Sequence, residues 1–581
     1  MRWRRAGRGA WPGRSAPVAL LAAAALVFGA TTVKEPGSIP RPAAGQAAVT
    51  PSPAPIPPAA APPPLVDVGP TAADRAVAFE FVLAFPGREA MQAYARSVGD
   101  PSSAQYRRFL TATQIGARFG LPDADLARVD TWATQHGISV ISTSPQRIAV
   151  SVGASASTIE TLFGVTLRDF VDAAGRTFHA PTGVPNVPVG LHGLVASIDG
   201  LDARPSERAA LSRIIAAGPP DGMKPAIIDR AYELEGLRTL GLHGEGQTVA
   251  IVSLDTFDPA DVAKFDQLAG VSGPPVEKVD VSGGVARPGD GQDEVNLDID
   301  VLRSVAPQAR ILDYEAPNKG GAIAAVVDQI VQDGRADIVT ISWGSCELSR
   351  SATAIARITS SMAAAAAAGV TVYVASGDHG AYGCLDQNRT DLRISVDSPG
   401  GDPNVIGVGG TYMSMLEDGT YIDEAAWEEP LTGWAPGGGV SIYNARPSWQ
   451  TGAGVDNKRS NGMRQVPDVA AAADPNSGFL TVAAGQAGAG GGTSAASPFW
   501  AGFTLLVRQL AENEGAGRLG ALGPTLYAVS AGQPPGAVFH DVARGGNLLD
   551  DAGPGWDYAT GLGTPRCTPL ARAIVDRLKG A

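Results

Sequence analysis

Residues 337–342 read DIVTIS and residues 370–375 read VTVYVA, two apolar runs of strand length. The alanine-rich segment 351–368 between them has the length and composition of a helix. The same alternation continues outward, with strands predicted at 249–254, 309–314 and 405–408 and helices at 259–268 and 320–332. Buried strands that alternate with helices predict an α/β domain with a doubly wound, mostly parallel sheet.

Glycine clusters mark where a site is expected in this sheet. The chain has 72 glycines, and clusters follow predicted strands or lie in later loops at 376–377, 409–410, 437–439 and 490–492. Ligands of doubly wound sheets bind beyond the carboxyl ends of the strands, and glycine lets the backbone approach them closely.

Composition narrows the class of protein. The chain has 581 residues, 44% of them hydrophobic, so it can bury a large core. A net charge of −13 disfavours nucleic acid as a partner. Three cysteines without a C-x-x-C pair exclude a disulfide scaffold and a zinc ribbon. We expect a monomer that binds no nucleic acid.

The N-terminus has the layout of a secretory signal peptide, which we place at residues 1–30. Five arginines and no acidic residue lie in residues 1–15, and an apolar run follows at 16–30. The prediction is a secreted, extracellular protein; the alternative is an uncleaved N-terminal membrane anchor, for which the run is short.

A proline-rich spacer is predicted at residues 31–73, because 12 prolines lie in residues 36–70 and disfavour both helix and sheet. A ligand for a proline-binding module is the alternative. Residues 74–202 then alternate short strands (76–85, 147–152) with helices (87–97, 123–135), which predicts a small α+β domain. Residues 203–225 have a loop-like composition and contain arginines that a protease could cut.

The most informative motif is GGTSAASP at residues 491–498, before an apolar helical run at 499–510. Ser494 at a helix start gains from the positive end of the dipole and from free N–H groups that can bind an oxyanion. The alternative is a simple helix cap. A cap needs neither the preceding glycines nor the following Ser-Pro, so we favour a nucleophile.

A carboxylate base is available in DEVNLD at residues 293–298. Glu294 and Asp298 are four residues apart, which places both on one helix face, where they can share a proton. A solvated acidic face is the alternative; the apolar residues between and after them favour a partly buried helix, where unpaired like charges are costly.

Asp378 lies in SGDHG at residues 376–380, directly after a predicted strand. Alone, an Asp at a strand end is weak evidence, since it often caps a turn. The combination is more specific: Glu-x-x-x-Asp, Ser-Gly-Asp and Gly-Thr-Ser-x-x-x-Pro occur here in the order found in sedolisins, the serine-carboxyl peptidases, which the chain resembles. The subtilisin alternative lacks its His-Gly-Thr motif, and Asp255-Thr256-Phe257 breaks its aspartate motif.

The resemblance implies a subtilisin-like fold for residues 226–581 and a set of roles. Ser494 matches the nucleophile, Glu294 the general base, Asp298 the carboxylate that orients Glu294, and Asp378 the acid that stabilises the oxyanion. It further implies an acid-active endopeptidase for protein and peptide substrates. Residues 74–202 would be an activation propeptide that inhibits and chaperones its own enzyme, removed by a cut within 203–225.

The C-terminal region resembles the sedolisin calcium loop, which implies one structural Ca²⁺. Two side chains and three carbonyls would bind the ion: Asp541, Val542 (carbonyl), Gly553 (carbonyl), Gly555 (carbonyl) and Asp557. Such an all-oxygen set suits calcium. A glycine-rich turn without a metal is the alternative.

Three further points stay open. Two alternative functions remain beside the endopeptidase: a tripeptidyl exopeptidase of the same fold and an inactive peptide-binding relative. Residues 395–399 depart from the family's usual sequence, which leaves the substrate pocket undefined. Cys346 and Cys384, at two strand ends, are expected to pair in an exported protein, the alternative being two free thiols.

Overall fold

The computed structural model describes residues 65–172, 175–209, 212–214 and 222–580. The predicted signal peptide and residues 31–64 of the predicted spacer lie outside these ranges. Among the described residues, no helix combines the length and the apolar composition needed to cross a bilayer.

The N-terminal domain is built from two antiparallel sheets and four helices. Its elements are β1 (Val66–Pro70), β2 (Ala76–Leu83), α1 (Arg88–Val98), α2 (Ala112–Phe119), α3 (Asp123–Gln135), β3 (Ser139–Thr143), β4 (Ala149–Ser155), α4 (Ala156–Phe163), β5 (Leu167–Val171), β6 (Thr177–Pro181) and β7 (Val195–Asp199). One sheet has the order β3-β4-β2-β7 and the other β1-β5-β6. Phe79, Phe81 and Phe163 fill the core beneath the larger sheet with edge-on ring contacts.

Strand β1 differs from the prediction of a spacer that forms no sheet. It pairs antiparallel with β5, although it lies at the end of the proline-rich stretch. Within it, Pro70 takes the final position, where a missing N–H costs least, and Val66 and Val68 have high strand propensity.

Two short strands, β8 (Arg208–Ala209) and β9 (Ser212–Ile214), follow the N-terminal domain. The sequence predicts a loop throughout residues 203–225, so these two strands differ from the prediction. The remaining elements are α5 (Pro225–Ala231), α6 (Glu235–Thr239), β10 (Thr248–Ser253), α7 (Pro259–Ala269), β11 (Glu277–Asp280), α8 (Gln292–Val305), β12 (Arg310–Glu315), α9 (Ala322–Asp333), β13 (Ile338–Ile341), β14 (Trp343–Cys346), α10 (Ala352–Ala367), β15 (Thr371–Ala375), β16 (Asp397–Ser398), β17 (Ile406–Met415), β18 (Tyr421–Ala426), β19 (Gly439–Ala445), β20 (Met463–Val466), β21 (Val469–Ala472), β22 (Phe479–Ala483), β23 (Gln486–Gly491), α11 (Thr493–Asn513), α12 (Gly523–Gly532), β24 (Phe539–His540), β25 (Thr564–Pro565) and α13 (Cys567–Gly580).

The predicted α/β fold is confirmed. The central sheet has the order β11-β12-β10-β13-β15-β17-β18, with β21 also paired to β17, and every pairing is parallel except that of β18. Helices α8 and α11 pack against each other, and nearly all residues of α8 are buried. A helix that is buried on all sides is a core element, so both helices are held in fixed positions.

The N-terminal domain packs on the central domain through helix α1, which lies against α10. Met91, Tyr94 and Val98 of α1 belong to the same buried apolar cluster as Met362 of α10. The Leu110 N–H also donates to the Ala367 carbonyl over 3.0 Å at the end of α10. The contact with α10 therefore combines apolar packing, a backbone hydrogen bond and an ion pair between Arg357 and Glu80 of β2.

Candidate active site

Ser494 lies at the start of the central helix α11, which begins at Thr493. The preceding residue, Gly492, has φ +84°, a conformation that side chains rarely adopt, so glycine is required at this turn. Ser494 is fully buried in this form of the chain, at the positive end of the helix dipole.

The Ser494 hydroxyl donates a hydrogen bond to Glu294, with 2.9 Å between Oγ and Oε2. The two residues are 200 positions apart in sequence and meet because α8 and α11 pack together. A hydroxyl that donates to a buried carboxylate has the geometry of a nucleophile and its base.

Glu294 and Asp298 form a buried pair on one face of α8, and neither side chain has measurable exposure. Burial raises the pKa of Glu294 far above its usual range, and the neighbouring Asp298 raises it further. Burial also raises the pKa of Asp298, which the hydrogen bond from Ser342 partly offsets. Among the described residues, Glu294 Oε1 and Asp298 Oδ2 have no hydrogen-bond partner, so the pair can keep a proton between them.

Ser342, which the sequence analysis did not single out as a site residue, links this pair to the nucleophile. Its hydroxyl donates to Asp298 Oδ1 over 2.6 Å and lies 3.3 Å from the Ser494 carbonyl oxygen. That carbonyl lacks the usual helical donor because Pro498, four residues on, has no N–H. The signal for Ser342 was its place at the carboxyl end of a buried strand.

Asp378 faces the same helix start from the loop after β15. Its Oδ1 accepts two hydrogen bonds of 2.8 Å, one from the Thr493 N–H and one from the Thr493 hydroxyl. Its charge is among those that raise the pKa of Glu294, after burial and Asp298. The structure thus brings together all four predicted catalytic residues, Ser494, Glu294, Asp298 and Asp378.

A disulfide braces the loops beside these residues. Cys346 at the end of β14 is bonded to Cys384, six residues after Asp378, with 4.9 Å between their Cα atoms. The predicted pairing is therefore confirmed. Cys567 is left as a free, buried thiol.

The two short strands of the linker pair with the chain on either side of Ser494. Strand β8 pairs antiparallel with β14, with Ala209 opposite Trp343 and Arg208 opposite Gly344. Strand β9 pairs antiparallel with β23, with Ser212 opposite Gly491, three residues before Ser494. Each of these short strands adds to the edge of an existing strand, which is the pattern of β-augmentation, a common mode of peptide binding.

The predicted calcium ligands lie in one C-terminal loop region, residues 541–557 (the C-terminal turn). Asp541 accepts from the Gly555 N–H over 3.0 Å, and the buried Asp557 accepts from the Gly553 N–H over 3.0 Å. The described part of the chain contains no group of three or more His, Cys, Asp and Glu placed to hold a metal. Two carboxylates and backbone carbonyls are hard oxygen donors, which fit Ca²⁺.

Comparison with known proteins adds independent evidence. The family described as "Pro-kumamolisin, activation domain" matches residues 63–204, and the "Subtilase family" matches residues 281–521. Kumamolisin of Bacillus sp. (strain MN-32) is 33% identical over 540 residues, which cover 88% of this chain and 94% of that protein. The chain belongs to the sedolisin family. It is therefore a serine-type peptidase with an N-terminal activation propeptide.

Other relatives of the sedolisin family span the same regions. Sedolisin of Pseudomonas sp. (strain 101) is 30% identical over 83% of this chain and 84% of its own, and human tripeptidyl-peptidase 1 is 27% identical over 89% and 94%. The solved structure of Pseudomonas sedolisin complexed with two molecules of pseudo-iodotyrostatin superposes with a TM-score of 0.55 at 29% identity. It covers 62% of this chain and 99% of that one.

Proposed function

We propose that this sedolisin-family chain is a secreted, acid-active serine-carboxyl endopeptidase that cuts its own propeptide linker. The observation that carries the proposal is the 2.9 Å hydrogen bond from the buried Ser494 hydroxyl to Glu294. Within the described ranges the Ser494 hydroxyl bonds to no histidine; the proposed base is a carboxyl whose pKa burial has raised.

In the proposed reaction, Ser494 Oγ attacks the substrate carbonyl carbon while its proton passes to Glu294 Oε2. The peptide C–N bond then breaks, and Glu294 returns the proton to the leaving amine. Water hydrolyses the resulting ester with Glu294 again as base, and Ser494 regains its proton. Asp298 and Ser342 hold Glu294 and the first turn of α11 in position throughout the reaction.

Asp378 is assigned the stabilisation of the oxyanion. Its Oδ1 takes both hydrogen bonds from Thr493, and a proton on Oδ2 would be donated to the negative oxygen. An ionised Asp378 would instead repel that charge. Activity is therefore expected to be highest under acidic conditions and to fall as Asp378 loses its proton.

The linker supports endopeptidase rather than tripeptidyl activity. The residues before β8 are also held by the peptidase domain. Asn318 Oδ1 accepts hydrogen bonds from the Ser206 and Glu207 N–H groups, each over 3.1 Å. The buried Glu207 also pairs with Arg350. Contacts that extend over residues 206–209 would suit internal cleavage, since an endopeptidase needs no free N-terminus in its substrate.

The C-terminal turn is proposed to hold a structural Ca²⁺, with side-chain oxygens from Asp541 and Asp557 and carbonyls from Val542, Gly553 and Gly555. The ion would offset the repulsion of two carboxylates brought into one turn. Export is proposed from residues 1–30, which precede the described part of the chain.

The decisive experiment is incubation of the purified precursor at acidic pH. Wild type should shorten itself by a first cut between Ala209 and Ser212, read by N-terminal sequencing, and then cleave protein substrates internally. Ser494→Ala should remain intact. Ser497→Ala is the matched control, because Ser497 is buried one turn further along and bonds to Thr340 instead.

Three results would contradict the proposal. They are equal shortening of wild type and Ser494→Ala, an activity maximum at neutral pH or above, and release of N-terminal tripeptides as the main product.

A further inference from the structure

The N-terminal domain holds the peptidase domain at a second place, away from the linker. Residues 107–110, which follow α1, lie against two turns: residues 367–369 between α10 and β15, and residues 516–520 between α11 and α12. The first turn precedes the amino end of β15, whereas Asp378 follows its carboxyl end. The second turn follows the 21-residue helix α11, which places it about 30 Å from Ser494. The contact therefore lies at the edge of the sheet opposite the catalytic residues.

The ring of Phe109 fills a slot between two glycines of these turns. A Cβ on Gly369 would lie 2.5 Å from the ring, and one on Gly520 would lie 2.7 Å from it, so neither position has room for a side chain. The Arg518 guanidinium carbon lies 5.0 Å from the ring centroid, within the range of cation–π contacts. The slot formed by Gly369, Arg518 and Gly520 is therefore shaped for an aromatic ring.

Contacts within the N-terminal domain set the shape of this segment. Arg107 has φ +55°, a conformation that is uncommon for residues other than glycine, and its N–H donates to the Val98 carbonyl of α1 over 2.9 Å. The Tyr94 hydroxyl, also from α1, donates to the Arg108 carbonyl over 2.6 Å. The N-terminal domain thus presents the segment in one fixed conformation.

Toward the peptidase domain, the segment donates hydrogen bonds to backbone carbonyls of both turns. The Leu110 N–H donates to Ala367, the last residue of α10, over 3.0 Å. The Arg107 guanidinium donates to the Ala516 and Arg518 carbonyls, shortly after the end of α11. Carbonyls at the end of a helix lack donors within the helix, so outside donors stabilise them.

We propose that residues 107–110 form a folding anchor, which speeds the folding of the peptidase domain by joining the ends of α10 and α11, independently of the linker strands at the cleft. Ala368 and Arg518, in the two turns, are 150 positions apart in sequence. Bringing such distant segments together costs loop-closure entropy and slows folding. A preformed segment that binds both turns offsets part of that cost, and it fixes the helix that carries Ser494 at its other end.

The peptidase domain has its own bonds to keep the two turns together once it has folded. The Arg518 guanidinium donates to the Ala368 carbonyl over 3.2 Å, and the Thr371 hydroxyl donates to the Gly520 carbonyl over 2.5 Å. These bonds need no residue of the N-terminal domain. The folding anchor is therefore expected to matter while the turns assemble and not afterwards.

The test is the rate at which denatured precursor refolds, followed by near-ultraviolet circular dichroism. Every chain also carries Ser494→Ala, so that none can cut itself. Phe109→Ala empties the slot and should slow refolding by about tenfold or more. Phe170→Ala is the matched control, because the Phe170 ring stacks on Phe178 within the N-terminal domain, with 6.0 Å between centroids. Its refolding rate should stay within about twofold of the parent chain.

Arg107→Met is the second test variant. It removes both guanidinium bonds to the second turn and should slow refolding by a few-fold. Because it changes a partly exposed side chain, it remains informative if Phe109→Ala does not fold.

Hydrogen exchange separates the folding anchor from the linker. In folded Phe109→Ala, the Leu110 amide should lose protection, because the segment no longer sits in its slot. The backbone amides of β8 and β9 should keep the protection that they have in the parent chain.

Slower refolding of Phe109→Ala and Arg107→Met, with Phe170→Ala unchanged and β8 and β9 still protected, supports the folding anchor. It is overturned by a parental refolding rate in either test variant, by equal slowing in Phe170→Ala, or by loss of protection at β8 and β9 in Phe109→Ala. Since every chain carries Ser494→Ala, these results do not depend on catalysis. Failure of the proposed function shows separately, in the acid incubation of wild-type precursor.

Discussion

Helix α8 presents two fully buried aspartates, two residues apart, to different surroundings. Asp298 faces Ser342 and the nucleophile, while Asp300 faces β22, where its Oδ2 accepts from the Val482 N–H over 2.7 Å and the Thr481 hydroxyl over 3.1 Å. Burial raises the pKa of both. A perturbed pKa therefore does not distinguish a catalytic carboxyl from a structural one in this helix.

The hydrogen-bond partners of Asp298 and Asp300 distinguish the two residues. Asp300 is tied to a backbone amide that cannot move without breaking the β22–β23 hairpin, whereas Asp298 is held by a single hydroxyl and lies beside a second carboxyl. We expect Asp298, which lies beside Glu294, to change its protonation during the reaction, and Asp300, which bonds to β22, to serve the fold.

The largest effect is expected for Glu294→Gln. The amide cannot accept the Ser494 proton, so kcat/KM should fall by about 10³-fold or more. Circular dichroism and thermal unfolding should remain close to wild type, because the side chain keeps its shape. If kcat/KM of Glu294→Gln stays within tenfold of wild type, Glu294 is not the general base.

The second prediction compares the two faces of α8 directly. Asp298→Asn should lower kcat by about 10²-fold, while Asp300→Asn should stay within a few-fold of wild type. Asp300→Ala should instead lower the free energy of unfolding by about 2–4 kcal/mol, since it leaves the Val482 N–H unpaired and a cavity behind. Equal losses of kcat in Asp298→Asn and Asp300→Asn would erase the contrast between the faces.

The smallest effect is expected at the C-terminal turn, far in sequence from α8. Chelation should lower the apparent stability by about 2.7 kcal/mol relative to a calcium concentration 100 times Kd, measured as a fall in Tm that added Ca²⁺ reverses. Asp541→Asn should weaken this response, with kcat unchanged in the folded enzyme. A Tm indifferent to chelators would contradict the calcium site.

Five strands of the central sheet (β10, β12, β13, β15 and β17) were predictable because each contains a short apolar run; the polar β11 was not predicted. Predicted strands at 309–314 and 370–375 appear as β12 and β15, shifted by one residue at most at either end. Helix α2 was not predicted, although Thr111 and Gln114 form a capping box at its start. That motif is the signal that would have located it.

The linker strands β8 and β9 could not be predicted from the sequence, because they depend on long-range pairing. Strands β8 and β9 have no strand pattern of their own; residues more than a hundred positions away supply their partners.

The linker strands have a kinetic consequence. Because β8 and β9 belong to the same polypeptide as Ser494 and pair with strands next to it, we expect the first cleavage to need no collision between molecules. The half-life of the precursor should then be independent of protein concentration. In a mixture with wild type, precursor carrying Ser494→Ala should remain whole until free enzyme accumulates.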